Sequence, residues 1–262
     1  MFPVTVTGTP LSAKQSIGLS SGESWTVPEE TPVAFVFDRR NYAVMLATPA
    51  DLIDFAVGFS LTEAIIDSPA DIAALDIHHL AQGIDLRLHL NERCRQRLDL
   101  RQRRRALPGN AGCGLCGIEN AEEFFQPLQP VAETIPRLAP EAVQRAFAQL
   151  PDHQSLNAAT RTVHAAAWAD PDGKILLARE DVGRHNALDK LLGALALERS
   201  DFTSGFVVMS SRCSYEIVQK AARMGINAIA ALSAPTAFAI RKAKEANIAI
   251  HVRTGEGAAS VA

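Results

Sequence analysis

Cysteine, tryptophan and tyrosine are all scarce in this chain of 262 residues, which carries four, two and two of them. Two of the cysteines, Cys94 and Cys213, stand alone, so the sequence holds no disulfide framework. No apolar stretch approaches the roughly 20 residues that a membrane span requires. The opening residues, MFPVTVTGTPLSAKQS, lack the basic start and the apolar run of a secretory signal. Positive charge is not in excess either: Lys and Arg number 26 against 29 Asp and Glu, a net charge of −3, which argues against a nucleic-acid partner. With 47% hydrophobic and 21% charged residues, the composition is that of an ordinary globular chain, long enough for one large domain or two small ones. The expectation is a soluble cytoplasmic protein with reduced thiols and no membrane segment.

What is present is organised unevenly. Residues 1–30 are rich in Thr, Ser, Gly and Pro and read as irregular, with one short strand near 25–27. Apolar runs at 32–37 and 42–47 flank a polar turn and predict a hairpin. Thr48, Pro49 and Asp51 then look like a helix start with Thr48 as cap, continued on one face by Leu52, Phe55, Ala56 and Phe59. Strict alternation over 84–90 predicts a half-buried strand. An arginine-heavy stretch at 91–105 leads to the two remaining cysteines, and prolines at 127, 130, 136 and 140 mark a linker. Beyond it, strands at 163–169 and 174–179 flank the turn sequence DPDG. Helices at 183–197, 215–223 and 235–245 then alternate with strands at 206–210, 228–232 and 248–252. That alternation implies an α/β fold with a largely parallel sheet covered by helices. The organisation is therefore a smaller N-terminal α+β domain over 1–108, a cysteine loop and linker over 109–140, and an α/β domain over 141–262.

Cys113 and Cys116 sit in AGCGLCG, where three glycines allow backbone conformations closed to other residues and bring the sulfurs outward. A zinc site would need ligands from elsewhere, and there is no second CxxC, so no metal is expected. A thioredoxin-type pair opens a helix after a strand, whereas glycine flanks and following prolines fit a mobile loop. A structural disulfide is disfavoured by the expected compartment. The fourth reading is a sulfur carrier, one thiolate holding a sulfane sulfur and passing it on, helped by nearby positive charge such as Arg93, Arg95, Arg97, Arg101, Arg103, Arg104 or Arg105. The bland reading of those arginines is a solvated helix face.

Three further groups fall at strand-to-helix junctions, where open α/β sheets bind ligands. EDVGRHNALDK at 180–190 offers Glu180, Asp181, Arg184 and His185 to a polar ligand, or else a helix cap and surface ion pairs. Ser210, Ser211, Arg212, and Ser233 after the next strand, could cradle a phosphate or simply cap helices. His164 is either a satisfied core histidine or a ligand contact. It does not belong to a zinc deaminase, because Ala166 stands where His-x-Glu needs its glutamate and the CxxC lies upstream.

Taken together, ATPADL at 47–52, CGLCG at 113–117, HAAAW at 164–168, EDVGRHNALDK at 180–190, SSRCSYE at 210–216 and SAPT at 233–236 resemble one known family, the formate dehydrogenase accessory sulfurtransferases (FdhD). The segments occur in family order from about residue 30 onward. The resemblance implies a protein that accepts a persulfide sulfur from a cysteine desulfurase and transfers it to the molybdenum cofactor, bis-molybdopterin guanine dinucleotide, as formate dehydrogenase requires. It makes Cys113 the carrier with Cys116 assisting, and it implies a cytidine-deaminase-like C-terminal sheet without zinc and a homodimer. It also implies guanine nucleotide binding, with GDP as a simple analogue. The strand-end crevice with His164, Asp181, Arg184, His185, Ser210, Ser211, Arg212 and Ser233 is the expected place. The family's C-terminal nucleotide segment corresponds to His251, Val252, Arg253, Thr254, Gly255 and Glu256, where acidic Glu256 departs from the usual basic residue. Two other classes stay in view, a cofactor chaperone that transfers no sulfur and a thiol–disulfide oxidoreductase.

Overall fold

Backbone pairing organises the N-terminal residues further than their composition suggests. The computed structural model describes residues 2–104, 127–133, 138–255 and 257–261. Strands β1 (Val4–Thr7), β2 (Lys14–Gly18) and β3 (Ser24–Pro28) occupy the region expected to be largely irregular. β2 and β3 form a hairpin, and β1 joins β6 below in parallel. Neither β1 nor β2 buries a residue, so no apolar periodicity betrays them. β4 (Thr31–Phe37) and β5 (Arg40–Ala47) make the expected hairpin, followed by α1 (Leu52–Thr62). β6 (Ile72–Leu80), which the sequence reading did not assign, pairs with β7 (Gly83–Leu90), and the arginine-heavy stretch is helix α2 (Glu92–Arg104). The sheet runs β1-β6-β7-β4-β5. Its inner face presents Val33, Phe35, Phe37, Leu75, Ile77 and Leu86 to α1 and α2. Phe35 stacks on Phe59 of α1 with ring centroids 3.9 Å apart and meets Phe55 edge-on.

After the linker, Pro140, expected to belong to it, opens α3 (Pro140–Gln149), where a missing N–H costs nothing. Then come α4 (Ser155–Thr160), β8 (His164–Ala169), β9 (Ile175–Asp181), α5 (Arg184–Leu197), β10 (Phe206–Arg212) and α6 (Tyr215–Arg223). β11 (Ala228–Ser233), α7 (Ala237–Glu245), β12 (Ala249–Thr254) and β13 (Gly257–Ser260) complete the described chain. The second sheet runs β13-β12-β11-β10-β8-β9. β10, β11 and β12 are parallel, as the alternation implied, while β8, β9 and β13 add antiparallel pairs, so the sheet is mixed. Alternate residues face opposite sides. Ala166, Trp168, Val207, Met209 and Ile229 pack with α5, α6 and α7, and Ala165, Ala167, Phe206, Val208 and Ala230 pack with α3. No helix among the described residues is long and apolar enough to cross a membrane.

The two sheets are joined through α1 and α5, which cross at two glycines. A Cβ on Gly58 would lie 1.7 Å from the Asp189 carbonyl oxygen, and one on Gly193 would lie 1.9 Å from that of Asp54. Neither obstacle is a side chain that can swing away. Ten consecutive residues of α5, from Asn186 to Leu195, are buried between the second sheet and α1. Gly193→Ala must therefore push the helices apart, and overpacking of this kind costs roughly 1–3 kcal/mol or more. A clear drop in the urea midpoint is expected, and an unchanged midpoint would show that the crossing can slide.

Candidate functional site

Asp181, the last residue of β9, is fully buried. Its Oδ2 accepts the Thr48 N–H at 2.9 Å and lies 2.7 Å from Lys190 Nζ, itself fully buried. Its Oδ1 accepts from Gly183 N–H at 2.8 Å and from Asn186 Nδ2 at 2.9 Å. Lys190 also donates to the Thr48 carbonyl at 2.9 Å and lies 5.6 Å from the centre of the Phe55 ring. Thr48 Oγ1 accepts from Val182 N–H at 3.2 Å, and Asn186 donates to the Leu46 carbonyl. Thr48 is thus not the cap of α1: Asp51, in a left-handed conformation, is the residue that precedes that helix. Instead the ATPADL and EDVGRHNALDK strings are two halves of one buried polar network more than 130 residues apart in sequence.

Of the two readings of Glu180 and Asp181, ligand contacts or caps and ion pairs, the geometry is that of the second. Asp181 has no exposed atom to offer, because folding engages both its oxygens. Glu180 accepts the backbone N–H groups of Leu156 and Asn157 at 2.8 Å each, capping α4. Asp189, buried farther along α5, binds Lys220 Nζ at 2.8 Å and the Thr62 hydroxyl at 2.7 Å. Of the charged residues in the string, Arg184 and His185 remain.

Both project from the first turn of α5, with His164 and Arg212 within electrostatic reach of them. His164, partly buried at the start of β8, is held below the ordinary histidine range first by burial and then by the charges of Arg184, His185 and Arg212, with Asp181 opposing. Arg184 Nε is buried and makes no hydrogen bond among the described residues. Ser210 Oγ accepts the Ala165 N–H at 2.8 Å. Ser211 is buried and donates to the Arg212 carbonyl, which turns it toward the protein rather than toward a ligand. A register shift between Met209 and Arg212 accompanies this. Glu216 and Ser214, at the start of α6, approach His185 Nε2 to 3.5 and 3.3 Å. The Glu216 carboxyl is held at about 2, chiefly by the His185 contact. Cys213, beside them, is fully buried, and burial pushes its thiol up to about 12. Ser233 is exposed at the end of β11, and Thr236 caps α7, accepting from Ala239 N–H.

The C-terminal residues that the resemblance implies as a nucleotide segment lie in β12 and just beyond it. His251 is buried within β12, and Val252 packs against the core beneath α5 to α7. Arg253, Thr254 and Gly255 line a cavity of about 430 Å³ with Gln144, Phe147 and Ala148 of α3. Since α3 and α5 cover opposite faces of the sheet, these residues and the Arg184–His185 group do not form one pocket. Glu256, Cys113 and Cys116 fall outside the described residues. The chain returns from them at residues 127–131, where Val131 N–H binds the Ala246 carbonyl at 2.9 Å. Arg93, Arg95 and Arg97, considered as possible neighbours of the cysteines, pair instead with Asp67, Asp71 and Asp38, and three arginines hold the Asp67 carboxyl at about 2.

Sequence reading gave Thr48 only a capping role at the start of α1 and gave Lys190 and Glu216 none. Thr48 had no local signal for its role, because Asp181 and Lys190 lie far along the sequence, whereas Lys190 stood in the same quoted string as Asp181. Glu216 stood in the quoted SSRCSYE string, two residues beyond Ser214.

Comparison with known proteins places this arrangement in context. The model of the FdhD/NarQ family matches residues 28–261. A protein of Bordetella petrii called sulfur carrier protein FdhD is 48% identical over 228 residues, covering 87% of this chain and 81% of its own. One of the same name from Chromobacterium violaceum is 46% identical, covering 92% and 90%. The crystal structure of a candidate formate dehydrogenase accessory protein from Desulfotalea psychrophila aligns with a TM-score of 0.68 at 22% identity, covering 94% of each chain, and so shares the fold.

Two expectations follow from the geometry. Lys190→Met strands the buried Asp181 charge and should cost about 3–5 kcal/mol in chemical denaturation, and adding Asp181→Asn should recover part of that loss. Because the Glu216 carboxyl sits at about 2 in the folded chain against an ordinary 4.5, its stabilisation is complete above 4.5 and fades as pH falls toward 2. Glu216→Gln should therefore be the less stable protein at neutral pH, with the gap in melting temperature closing over that acid window.

Proposed function

The chain belongs to the FdhD/NarQ family, and on that footing we propose that it is a sulfur carrier in formate dehydrogenase maturation. Cys113, with Cys116 beside it in sequence, takes a sulfane sulfur from a cysteine desulfurase as a persulfide. The recipient is the molybdenum cofactor in its guanine dinucleotide form. The carrier's role as a sulfurtransferase is to accept that one atom and release it to the bound substrate.

The observation that supports a nucleotide-bearing recipient is the cationic group at the strand ends. Arg184 and Arg212 bear on His164 there, Asp181 and Glu216 being engaged by Lys190 and His185, and the buried Nε of Arg184 lacks a partner among the described residues. Charge-assisted hydrogen bonds from such groups suit a diphosphate. His164 is depressed first by burial and then by these cationic neighbours, and an anion bound there would offset the second of the two causes. Arg253 and its neighbours, on the α3 face, are a less favoured location.

Incubation with a cysteine desulfurase and cysteine should give an adduct of one sulfur atom in the intact mass, absent from Cys113→Ala. GDP should bind, and Arg184→Ala should weaken it about tenfold or more. Formate dehydrogenase activation by a protein that never takes up sulfur would replace this reading with a chaperone role. Unchanged GDP affinity in Arg184→Ala would remove the nucleotide from this crevice.

A further inference from the structure

Two groups from one helix turn address a single ring nitrogen of His185. Ser214 Oγ is 3.3 Å from Nε2 and Glu216 Oε2 is 3.5 Å from it, with the His185 and Glu216 side chains only 17% and 18% exposed. An ionised carboxylate can only accept, so the hydrogen of the ring is assigned to Nε2, and the serine hydroxyl is free to turn and accept as well. Among the described residues Nδ1 makes no hydrogen bond. The other charged neighbours are cationic or already engaged. His164 faces the ring from β8, Arg184 precedes it on α5, Arg212 comes from β10, and Asp181 of β9 is bound to Lys190.

We infer that Glu216 is a positioning residue for anion binding: it holds Nε2–H of His185, and between that carboxylate and a bound phosphate the ring carries both its hydrogens, so that Nδ1–H is the donor to the ligand. The ring then bridges two anions, the carboxylate on one side and the ligand on the other. A carboxylate behind a histidine is a recurrent way to orient the imidazole. The inference rests on the nucleotide reading above and adds a group that never touches the ligand.

It has a consequence with an unusual sign. On simple charge arguments, removing an acid beside an anion site tightens binding. Here Glu216→Gln should weaken GDP binding by about tenfold, the loss of one charge-assisted hydrogen bond. His185→Gln should weaken it comparably, and the double variant should lose little more, since the two act as one unit.

Calorimetry with GDP on the full chain and its folded variants tests this, together with the ¹⁵N spectrum of the His185 ring in GDP-saturated wild type. Both ring nitrogens protonated, with the affinity losses above, is the expected result. If wild type binds GDP and Arg184→Ala weakens it while Glu216→Gln binds equally or more tightly, the nucleotide reading stands and this inference falls. If Glu216→Gln does not fold, a neutral His185 ring in the wild-type complex overturns the inference by itself. Absence of GDP binding to wild type overturns both.

Discussion

Two opposite charges, on Asp181 and Lys190, sit where neither side chain reaches water, and each is tolerable only because of the other. Desolvating an isolated carboxylate or ammonium is among the costliest things a fold can do. The pair is therefore completed on every side: Thr48 supplies its N–H to one charge and its carbonyl to the other, and Gly183 and Asn186 satisfy the remaining lone pairs. Thr48 and Phe55 lie in the N-terminal half and Lys190 in the C-terminal half, so the charges are buried only when both halves are folded and in contact. The glycine crossing of α1 and α5 sets the distance at which this is possible.

The site depends on that junction. Arg184 and His185 stand one turn beyond Asp181, on a helix whose start is held by Asp181 and whose middle is clamped between α1 and the second sheet. α6 approaches from the other side with Ser214 and Glu216, and Lys220, in the next turns of the same helix, is tied to Asp189. Arg184 and His185 are thus carried on a helix whose middle is fixed by two buried ion pairs, through Asp189 and Lys190.

How far the chain could be read in advance varied with how local the signal was. α6 was read to its ends at 215 and 223, and the strands at 84–90 and 206–210 were found because their apolar periodicity is continuous. β1 and β2 were missed because edge strands without a buried face leave no such pattern. The string at 180–190 stood out, with its acids open between a ligand and a helix cap with surface ion pairs. Nothing within those eleven residues reveals that Thr48, more than 130 positions earlier, claims Asp181 and Lys190. The surroundings of residues 253–255 were hidden for a similar reason, since the face on which a strand end lies depends on which helix covers it.

The buried network also bears on what kinship means in this family. Asp181, Asn186, Lys190 and Thr48 make the most recognisable string of the chain a fold determinant, while Arg184 and His185, embedded within it, are the part free to meet a ligand. A descendant that exchanged those two residues would keep its architecture and still be recognised as a relative. It would nonetheless have lost the cationic donors proposed to hold the nucleotide. Ancestry and retained activity are thus recorded by different letters of the same eleven-residue word.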